Sequence, residues 1–357
     1  MTQDRLKELR VEIDAIDDRI LELLNRRAKT AIEVGSIKTE RNLKFYVPER
    51  EVEILRRLTA VNEGPFPNDG LKAIYREIIS ASLSLEKPLS VAFLGPQATF
   101  THLACLKHFG ESAEYVPQIN LSGVFDAVDR NAADFGVVPI ENSSEGIVSN
   151  TLDMFVDYNL LICGEILVEV AHDLLNVTGD IDHVRKVYSH PHAIAQCRGW
   201  LERNLREVPV FDVESTARAA ELAADDPAAA AIAGEAAAKI YGLKAIRKRI
   251  QDNTNNFTRF IILGKQASVP TGDDKTSILF SGRDEVGALY LMLQPFAKHN
   301  VNLTKIESRP VKTKAWEYLF FLDMSGHLTD PPVAKALEDL KERAQFIKIL
   351  GSYPRAI

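Results

Sequence analysis

At 357 residues and a net charge of −7, the chain has room for two or three domains but no general affinity for nucleic acid or for anionic membranes. The sequence shows neither an apolar run long enough to span a bilayer nor a basic, apolar leader, so we expect a cytoplasmic protein. The three scattered cysteines suit a reducing compartment, and the spacing of the histidines does not predict a metal site.

The first 86 residues are predicted to be almost entirely helical. A first helix, residues 5–38, carries an apolar stripe spaced alternately by three and four, formed by Leu6, Leu9, Ile13, Ile16, Ile20 and Leu23. A second helix runs from Pro48 to about residue 61, and a third covers about residues 71–86. Because so long a helix has too few partners here to bury its stripe, we predict an intertwined helical dimer.

Two cations continue this stripe. Arg27 and Lys38 follow Leu23 at helical spacing and lie along the middle of the apolar face. One arginine there could reach solvent or pair with a buried carboxylate, but two cations on one apolar face call for an anionic ligand, since unpaired buried charge is costly. The polar residues beside the stripes of the other two helices are Arg50, Glu51, Ser82 and Glu86. The pattern predicts a pocket inside a helical bundle that holds a small dianion.

From residue 88 to about residue 266, strands and helices alternate in a doubly wound α/β pattern that is long enough for two lobes. Polar stretches recur where strands give way to helices, in GPQATF, PIENSSEG, YSHPHA and ESTARAA. Ligands of open α/β sheets bind at this edge, where helix N-termini favour anions, although each polar residue alone suits an ordinary N-cap. Capping explains NTNNFTRFIILG less well, because amides, a hydroxyl and an arginine crowd the entry to an apolar strand.

The last segment, residues 275–357, follows a polar linker and has the element order βαββαβ. This order predicts an α+β ferredoxin-like sandwich. VGAL opens its first helix and IESRP closes its second strand. From chemistry alone, these motifs fit a turn glycine and a solvated strand end as well as they fit a ligand site.

The helical segment, residues 1–87, resembles the all-helical chorismate mutase domain of bifunctional chorismate mutase–prephenate dehydratases in the stretches LRVEIDAIDDRILELLNRRAKTAIEVGSIK, YVPERE and IISASLSLEKPL. The resemblance implies that Arg27 and Lys38 grip carboxylate and ether oxygens of chorismate, and that Arg10 reaches the partner subunit's site. The residues implied to complete the lining are Arg50, Glu51, Ser82 and Glu86. Catalysis of this pericyclic reaction would come from holding a compact conformer and stabilising charge on the breaking ether oxygen.

Three positions depart from the family pattern. Val47 stands where some members have aspartate, so one polar contact would be missing, and Ala98 stands where glycine is usual. Glu86 occupies the position that contacts the ether oxygen, where the family has glutamine or glutamate, and only a protonated carboxyl can donate a hydrogen bond to that oxygen. We therefore predict that mutase activity falls as the pH rises and Glu86 loses its proton.

Residues 88–266 resemble prephenate dehydratase, which implies a two-lobed domain like the periplasmic binding proteins, without a metal or organic cofactor. Thr258 in TRF matches the catalytic threonine, which would supply or relay a proton to the departing hydroxyl as carbon dioxide leaves. The positions implied to bind or orient the substrate are Asn142, Ser189, Gln196, Glu214 and Arg259. The direction of Arg259 stays open, because neighbouring strand residues alternate between faces.

Residues 275–357 resemble the regulatory ACT domain that follows the dehydratase in this family. The resemblance implies a phenylalanine site at a subunit interface, formed by Gly287, Ala288, Leu289, Glu307, Ser308, Arg309 and Pro310. Gly287 would permit close backbone approach to the ligand. Phenylalanine would lower dehydratase activity by shifting a conformational equilibrium in a homodimer or a higher even oligomer.

Several alternatives remain open. The dehydratase substrate could be arogenate in place of prephenate, and a protein with a mutase domain could sense amino acids without dehydrating them. A mutase fused to a dehydrogenase is disfavoured, because no G-x-G-x-x-G follows any predicted strand. The expected partners are thus chorismate, prephenate and phenylalanine, with neither nucleic acid nor a membrane.

Overall fold

The fold is described by a computed structural model that covers residues 2–41, 46–144, 146–283, 285–310 and 318–356. Its contacts divide the chain into two units. The first unit contains residues 1–89 and 109–114, and the second contains residues 90–108 and 115–357.

The described residues of the first unit form three helices: α1 (Thr2–Glu40), α2 (Pro48–Ala60) and α3 (Asn68–Glu86). The second half of α1 approaches α3 closely, since a Cβ on Gly35 would lie 3.1 Å from the Cα of Glu86. In the first half of α1 the apolar stripe faces solvent, and each of its residues from Leu6 to Leu23 is 42 to 56% exposed. Burying an exposed apolar stripe of this length against another surface would stabilise the helix.

The second unit begins with alternating strands and helices. The strands are β1 (Ser90–Leu94), β2 (Glu114–Gln118), β3 (Phe135–Asn142), β4 (Gly146–Ile147), β5 (Leu161–Glu169), β6 (Asp173–Asn176), β7 (Lys186–Ser189), β8 (Val210–Asp212), β9 (Ala229–Ala233), β10 (Lys244–Arg247) and β11 (Phe257–Gly264). The helices are α4 (Phe100–Phe109), α5 (Leu121–Asp129), α6 (Ser149–Asp157), α7 (Pro191–Gln196), α8 (Arg198–Asn204), α9 (Thr216–Ala224) and α10 (Glu235–Tyr241).

These strands form two sheets. The first sheet has the order β2-β1-β3-β11-β5, with β4 paired to β3, and the second has the order β10-β6-β9-β7-β8. The chain crosses between them after β5 and again before β11, which is the connectivity of two lobes. The strands of the first sheet are not all parallel. The strand β11 returns directly from the second sheet and runs antiparallel to both β3 and β5.

The second sheet has a core of small residues. All five residues of β9 are alanine or isoleucine and are fully buried. The helix α9 turns Ala219, Ala220 and Ala223 toward this strand. Side chains this small let the helix and the sheet approach closely at native packing density.

The C-terminal sheet consists of β12 (Asp274–Ser281), β13 (Leu303–Pro310), β14 (Tyr318–Ser325) and β15 (Phe346–Pro354), with helices α11 (Ala288–Lys298) and α12 (Pro331–Lys341). The strand order is β13-β14-β12-β15, and all neighbours are antiparallel. Ile278 and Phe280 of β12 join the core under the helices, whereas Leu279 joins the core of the first sheet. The C-terminal sheet is therefore packed on both faces.

The contact between β15 and β5 requires a glycine. Gly351 has φ +144°, and a Cβ there would lie 2.3 Å from the carbonyl oxygen of Ile162. Any larger residue would push the C-terminal sheet away from the first sheet.

Candidate functional sites

In the helical unit, each cation of the α1 stripe contacts a polar side chain of α3. Nη1 of Arg27 donates to Oγ of Ser82 and to the carbonyl oxygen of Ile78, the latter at 3.3 Å. Nζ of Lys38 donates to Oε2 of Glu86 at 2.7 Å, and these two side chains are 18% and 8% exposed. The structure thus brings four of the predicted mutase residues together on facing sides of α1 and α3.

The other predicted mutase residues lie in different surroundings. Arg10 is exposed on the first half of α1, and Nη1 of Arg50 bonds to Oε2 of Glu53 at 2.6 Å on the surface of α2. Burial raises the pKa of Glu51 to about 8, against the opposing effect of Arg76. Glu51 is therefore mostly protonated at neutral pH and can donate a hydrogen bond.

Val47 is the N-cap residue of α2, and its side chain makes no capping hydrogen bond. An aspartate at this position would accept from the backbone N–H groups of the first turn, a contact worth about 1 kcal/mol. The departure from the family pattern thus removes a helix cap in addition to a polar group.

A cleft of about 300 Å³ lies in the α/β part of the second unit, where strands of both sheets end. Asn142 and Thr258 line it from the first sheet. The starts of α4, α7 and α9, each with the residue before it, supply Thr99, Thr101, His190, His192, Ser215 and Thr216. Among the described residues of its lining there is no lysine or arginine, so hydroxyls, histidines and helix N-termini are the groups that can meet an anion.

Asn142 orients the hydroxyl of Thr258. The two residues are paired on β3 and β11, and Nδ2 of Asn142 donates to Oγ of Thr258 at 2.8 Å. Oδ1 of Asn142 accepts from the backbone N–H of Ser144 at 2.9 Å, which fixes the orientation of the amide. Because Oγ of Thr258 accepts this bond, its own proton is directed elsewhere.

Gln196 is held by two side chains in the same cleft. Its Oε1 accepts from Nδ2 of Asn256 at 3.0 Å and lies 3.0 Å from Nε2 of His172. Given this amide orientation, the His172 ring carries a proton on Nε2, since a carbonyl oxygen can only accept. The sequence pattern did not single out His172, because it lies in a short crossing between two strands with no recognisable spacing.

Three further predicted residues have different placements. Glu214 lines the cleft beside Ser215, the N-cap of α9. Ser189 is fully buried and donates to the carbonyl oxygen of Ile232 at 2.7 Å, so it supports the wall beneath the cleft. Arg259 does not line the cleft; its side chain is buried on the opposite face of β11. For Ser189 and Arg259 the strand places the side chain away from the expected substrate.

Ala98 has φ +67°, in the left-handed region that glycine adopts without strain. This conformation gives a physical reason for the glycine that is usual in GPQATF. The chain accepts alanine here at a cost of about 1 kcal/mol.

The motifs of the C-terminal segment lie on α11 and β13. Gly287 has φ +82° and is the N-cap of α11, which begins with Ala288 and Leu289. The strand β13 is the edge of its sheet, and its residues alternate between exposed and partly buried. Ser308 and Pro310 lie on the exposed side, and Glu307 lies on the partly buried side.

Arg309, on the partly buried side of β13, faces the α/β part of the second unit. Its Nη1 donates to Oγ of Ser149 at 2.9 Å, and its Nη2 lies 3.4 Å from Oδ1 of Asp153. Both acceptors belong to α6. The guanidinium therefore connects β13 to the first lobe.

Within the described part of the chain, no cluster of three or more His, Cys, Asp or Glu side chains is placed to hold a metal ion. The described helices also include none that combines the length and the apolar character of a membrane span.

Three family models match successive parts of the chain: chorismate mutase type II over residues 9–87, prephenate dehydratase over 91–268 and the ACT domain over 276–342. A bifunctional chorismate mutase/prephenate dehydratase from Aquifex aeolicus is 54% identical over 358 residues, which cover 99% of each chain. The chain belongs to this bifunctional family. A homologue from Stutzerimonas stutzeri with the same description is 44% identical over 360 residues, again 99% of each chain.

A solved structure of prephenate dehydratase from Arthrobacter aurescens, in complex with L-Phe, is similar to part of the chain with a TM-score of 0.69. It shares 36% identity and covers 75% of this chain and 90% of that one. As a chorismate mutase/prephenate dehydratase, the chain rearranges chorismate to prephenate and then removes carbon dioxide and water from prephenate. The predicted multidomain organisation and both predicted enzyme activities are confirmed, and a sensor that lacks dehydratase activity is excluded.

Proposed function

We propose that the cleft lined by Asn142 and Thr258 is the dehydratase site, with prephenate as its substrate and Thr258 as the proton donor. The observation that carries this proposal is the 2.8 Å bond in which Asn142 donates to Oγ of Thr258. That bond leaves the hydroxyl proton of Thr258 for a substrate in the cleft.

The reaction needs little more than this proton and correct orientation. The C–C bond to the ring carboxylate breaks, carbon dioxide leaves, and the released electron pair enters the ring. The ring aromatises as the C–O bond to its hydroxyl breaks. The departing oxygen takes the proton from Thr258 and leaves as water, and Thr258 recovers a proton from solvent. A hydrogen-bond donor at the departing oxygen lowers this barrier because charge develops there.

The two carboxylates of the substrate would be bound without lysine or arginine from the described lining. The starts of α4 and α9 present Thr99, Thr101, Ser215 and Thr216 to the cleft, and backbone N–H groups at a helix start favour anions. Gln196 is held rigidly enough to orient a polar group of the substrate. Glu214 adds a negative charge that would keep a carboxylate away from one side of the cleft.

Removing the Thr258 hydroxyl tests the proposal. Thr258→Ala should lower dehydratase kcat at least a hundredfold, the usual contribution of a positioned proton donor, while mutase activity stays unchanged. Thr258→Ser keeps the hydroxyl and is the matched control, for which we expect a much smaller loss. Dehydratase activity of Thr258→Ala near that of the wild type would contradict the proposal.

For the mutase, we propose that Arg27 and Lys38 bind chorismate and that Ser82 and Glu86 complete the pocket, with Arg50 and Glu51 from α2. The proposal is supported by the contacts of both cations with α3. Arg10 would reach the pocket of a partner, because it lies on the exposed half of α1 that a second copy would cover. The oligomer is accordingly proposed to be a homodimer.

Phenylalanine is the proposed effector, bound where Gly287 begins α11 and where β13 forms the exposed edge of the C-terminal sheet. The ACT match and the L-Phe complex of the relative from Arthrobacter aurescens support it. The cytoplasmic location stays a prediction, and arogenate stays open as an alternative substrate that an assay of both compounds on the purified chain would test.

A further inference from the structure

The two residues of the proposed proton-donating pair have neighbours that face the other way. Asn142 and Thr258 are register partners on β3 and β11, and so are Glu141 and Arg259. Successive side chains of a strand point to opposite faces of the sheet. Asn142 and Thr258 face the cleft, whereas the side chains of Glu141 and Arg259 contact residues of the C-terminal sheet.

Each of the three side-chain nitrogen atoms of Arg259 donates a hydrogen bond to an acceptor on a different strand. Its Nε donates to Oε2 of Glu165 on β5 at 2.7 Å, its Nη1 to Oδ2 of Asp323 on β14 at 2.6 Å, and its Nη2 to the hydroxyl of Tyr353 on β15 at 2.9 Å. We call Glu165, Asp323 and Tyr353 the three acceptors. Two of them belong to the C-terminal sheet, so a single guanidinium joins that sheet to β11 beside Thr258.

The charges of this cluster are balanced and buried. Nζ of Lys275 also donates to both carboxylate oxygens of Glu165, at 3.0 and 2.7 Å, so Arg259 and Lys275 face Glu165 and Asp323. Asp323 is fully buried, and Arg259 is 8% exposed. Burial alone would raise the pKa of Glu165, but the two cations hold it below the ordinary value. Removing one partner would leave a buried charge without its counter-ion, which is strongly destabilising.

Glu141, the neighbour of Asn142, has a similar partner. Its Oε2 accepts from Nζ of Lys305 on β13 at 2.7 Å, and Nη1 of Arg259 lies 3.9 Å away. Both strands of the cleft pair are therefore fixed to the C-terminal sheet one residue away from the side chains that face the substrate.

We propose that Arg259 is a positioning residue for the dehydratase: through the three acceptors it fixes the start of β11, and with it the Thr258 hydroxyl, against the C-terminal sheet. This proposal rests on the proposed role of Thr258. It makes the C-terminal sheet part of the apparatus that aligns the proton donor. A guanidinium suits this task because its planar fork meets three acceptors in fixed directions, which a lysine ammonium cannot reproduce.

The test compares full-length variants of the Arg259 cluster with a control variant that removes a different contact between the C-terminal sheet and the α/β part. Arg259→Lys keeps the charge and loses the fork, and Asp323→Asn keeps the shape and loses an acceptor charge. Tyr353→Phe removes one neutral acceptor and is the mildest change. The control is Lys348→Gln, because Lys348 of β15 also bridges to the α/β part, donating to the carbonyl oxygens of Phe155 and Tyr158 at 2.9 and 2.8 Å. Those carbonyls lie at the end of α6 and do not belong to the cleft lining.

We expect Arg259→Lys and Asp323→Asn to lower dehydratase kcat by at least about tenfold, since small misplacements of a reacting group are costly. KM for prephenate should stay within about twofold, because the cleft contacts remain, and Tyr353→Phe should lower kcat a few-fold. Lys348→Gln should lower the Tm without changing kcat. Mutase activity, measured in the same samples, should be unchanged in all four variants.

A purely structural role predicts a different result, in which the cluster variants lose Tm as Lys348→Gln does and keep kcat. That outcome would overturn the proposal. If both charge variants failed to fold, an unchanged kcat in Tyr353→Phe would overturn it as well. An inactive Thr258→Ala together with a fully active Arg259→Lys would reject only the positioning role, whereas an active Thr258→Ala would reject the proposed function itself.

Discussion

Glu86 and Lys38 form an ion pair at 2.7 Å, so the Glu86 carboxylate accepts a hydrogen bond from an ammonium. Contact with the ether oxygen of chorismate requires the opposite role, because that oxygen can only accept. We therefore expect the pH profile of mutase kcat to differ between the wild type and Glu86→Gln, because a carboxylate cannot donate to that oxygen, whereas a carboxamide can.

The pH profile of the wild type alone does not report on Glu86, because burial raises the pKa of Glu51 to about 8 and Glu51 therefore changes its protonation state near neutral pH. Glu51 is present in both proteins, so the difference between their pH profiles of mutase kcat reports on Glu86. Superimposable profiles would show that the proton of Glu86 plays no part in the reaction.

At the scale of an element, the start of α11 offers a sharp test of the phenylalanine site. Gly287 has φ +82°, and no atom lies within 4 Å of the position that a Cβ would take, so alanine there is strained without a clash. We expect Gly287→Ala to weaken phenylalanine binding in equilibrium dialysis and inhibition of the dehydratase about tenfold, while uninhibited kcat stays unchanged. Gly272 is a matched control, since it has φ +86° and open space but lies in the linker before β12.

Gly272→Ala should bind phenylalanine as the wild type does. Equal weakening in both variants would mean that backbone strain anywhere in this segment disturbs the site. Full affinity in Gly287→Ala would contradict a binding site at the start of α11.

Sequence periodicity predicted the helices well, because the apolar residues on one face of a helix recur every three or four positions along the sequence. The predicted first helix, residues 5–38, and the observed α1, Thr2–Glu40, differ by a few residues at each end. Strand patterns predicted where the polar loops of the cleft lie. The resemblance to prephenate dehydratase, not the pattern, named Asn142, Gln196, Glu214 and Thr258, and these four residues line the cleft.

The direction of individual side chains could not be predicted in the same way. Alternation in TRF shows that Thr258 and Arg259 face opposite sides of the sheet, but it does not show which of the two faces the cleft. That depends on the C-terminal sheet, where Asp323, more than 60 residues further along the chain, accepts a hydrogen bond from Arg259. Ser189 lies at the end of β7, where its bond to Ile232 of β9 is set by strand pairing. The antiparallel course of β11 likewise follows from a direct crossing between sheets that no local pattern marks.

For the whole molecule, the exposed stripe on α1 argues that the mutase requires a second copy of the chain. The stripe residues Ile13, Ile16 and Ile20 are 56, 52 and 49% exposed, and burying one such side chain is worth about 1.5–3 kcal/mol. In a two-fold symmetric dimer each change acts twice, so Ile13→Glu should weaken self-association of the chain by more than a hundredfold. Because Arg10 is proposed to complete the partner's pocket, mutase activity should fall with the loss of the dimer.

Val11 provides the control for this prediction, since it is 67% exposed but points to the opposite side of α1. Val11→Glu adds the same charge to the same helix and should leave both the sedimentation coefficient and the mutase rate unchanged. A dimer of Ile13→Glu as stable as that of Val11→Glu would locate the interface elsewhere. A stable Ile13→Glu monomer with full mutase activity would instead show that one chain supplies the whole pocket, and Arg10 would then have no role in it.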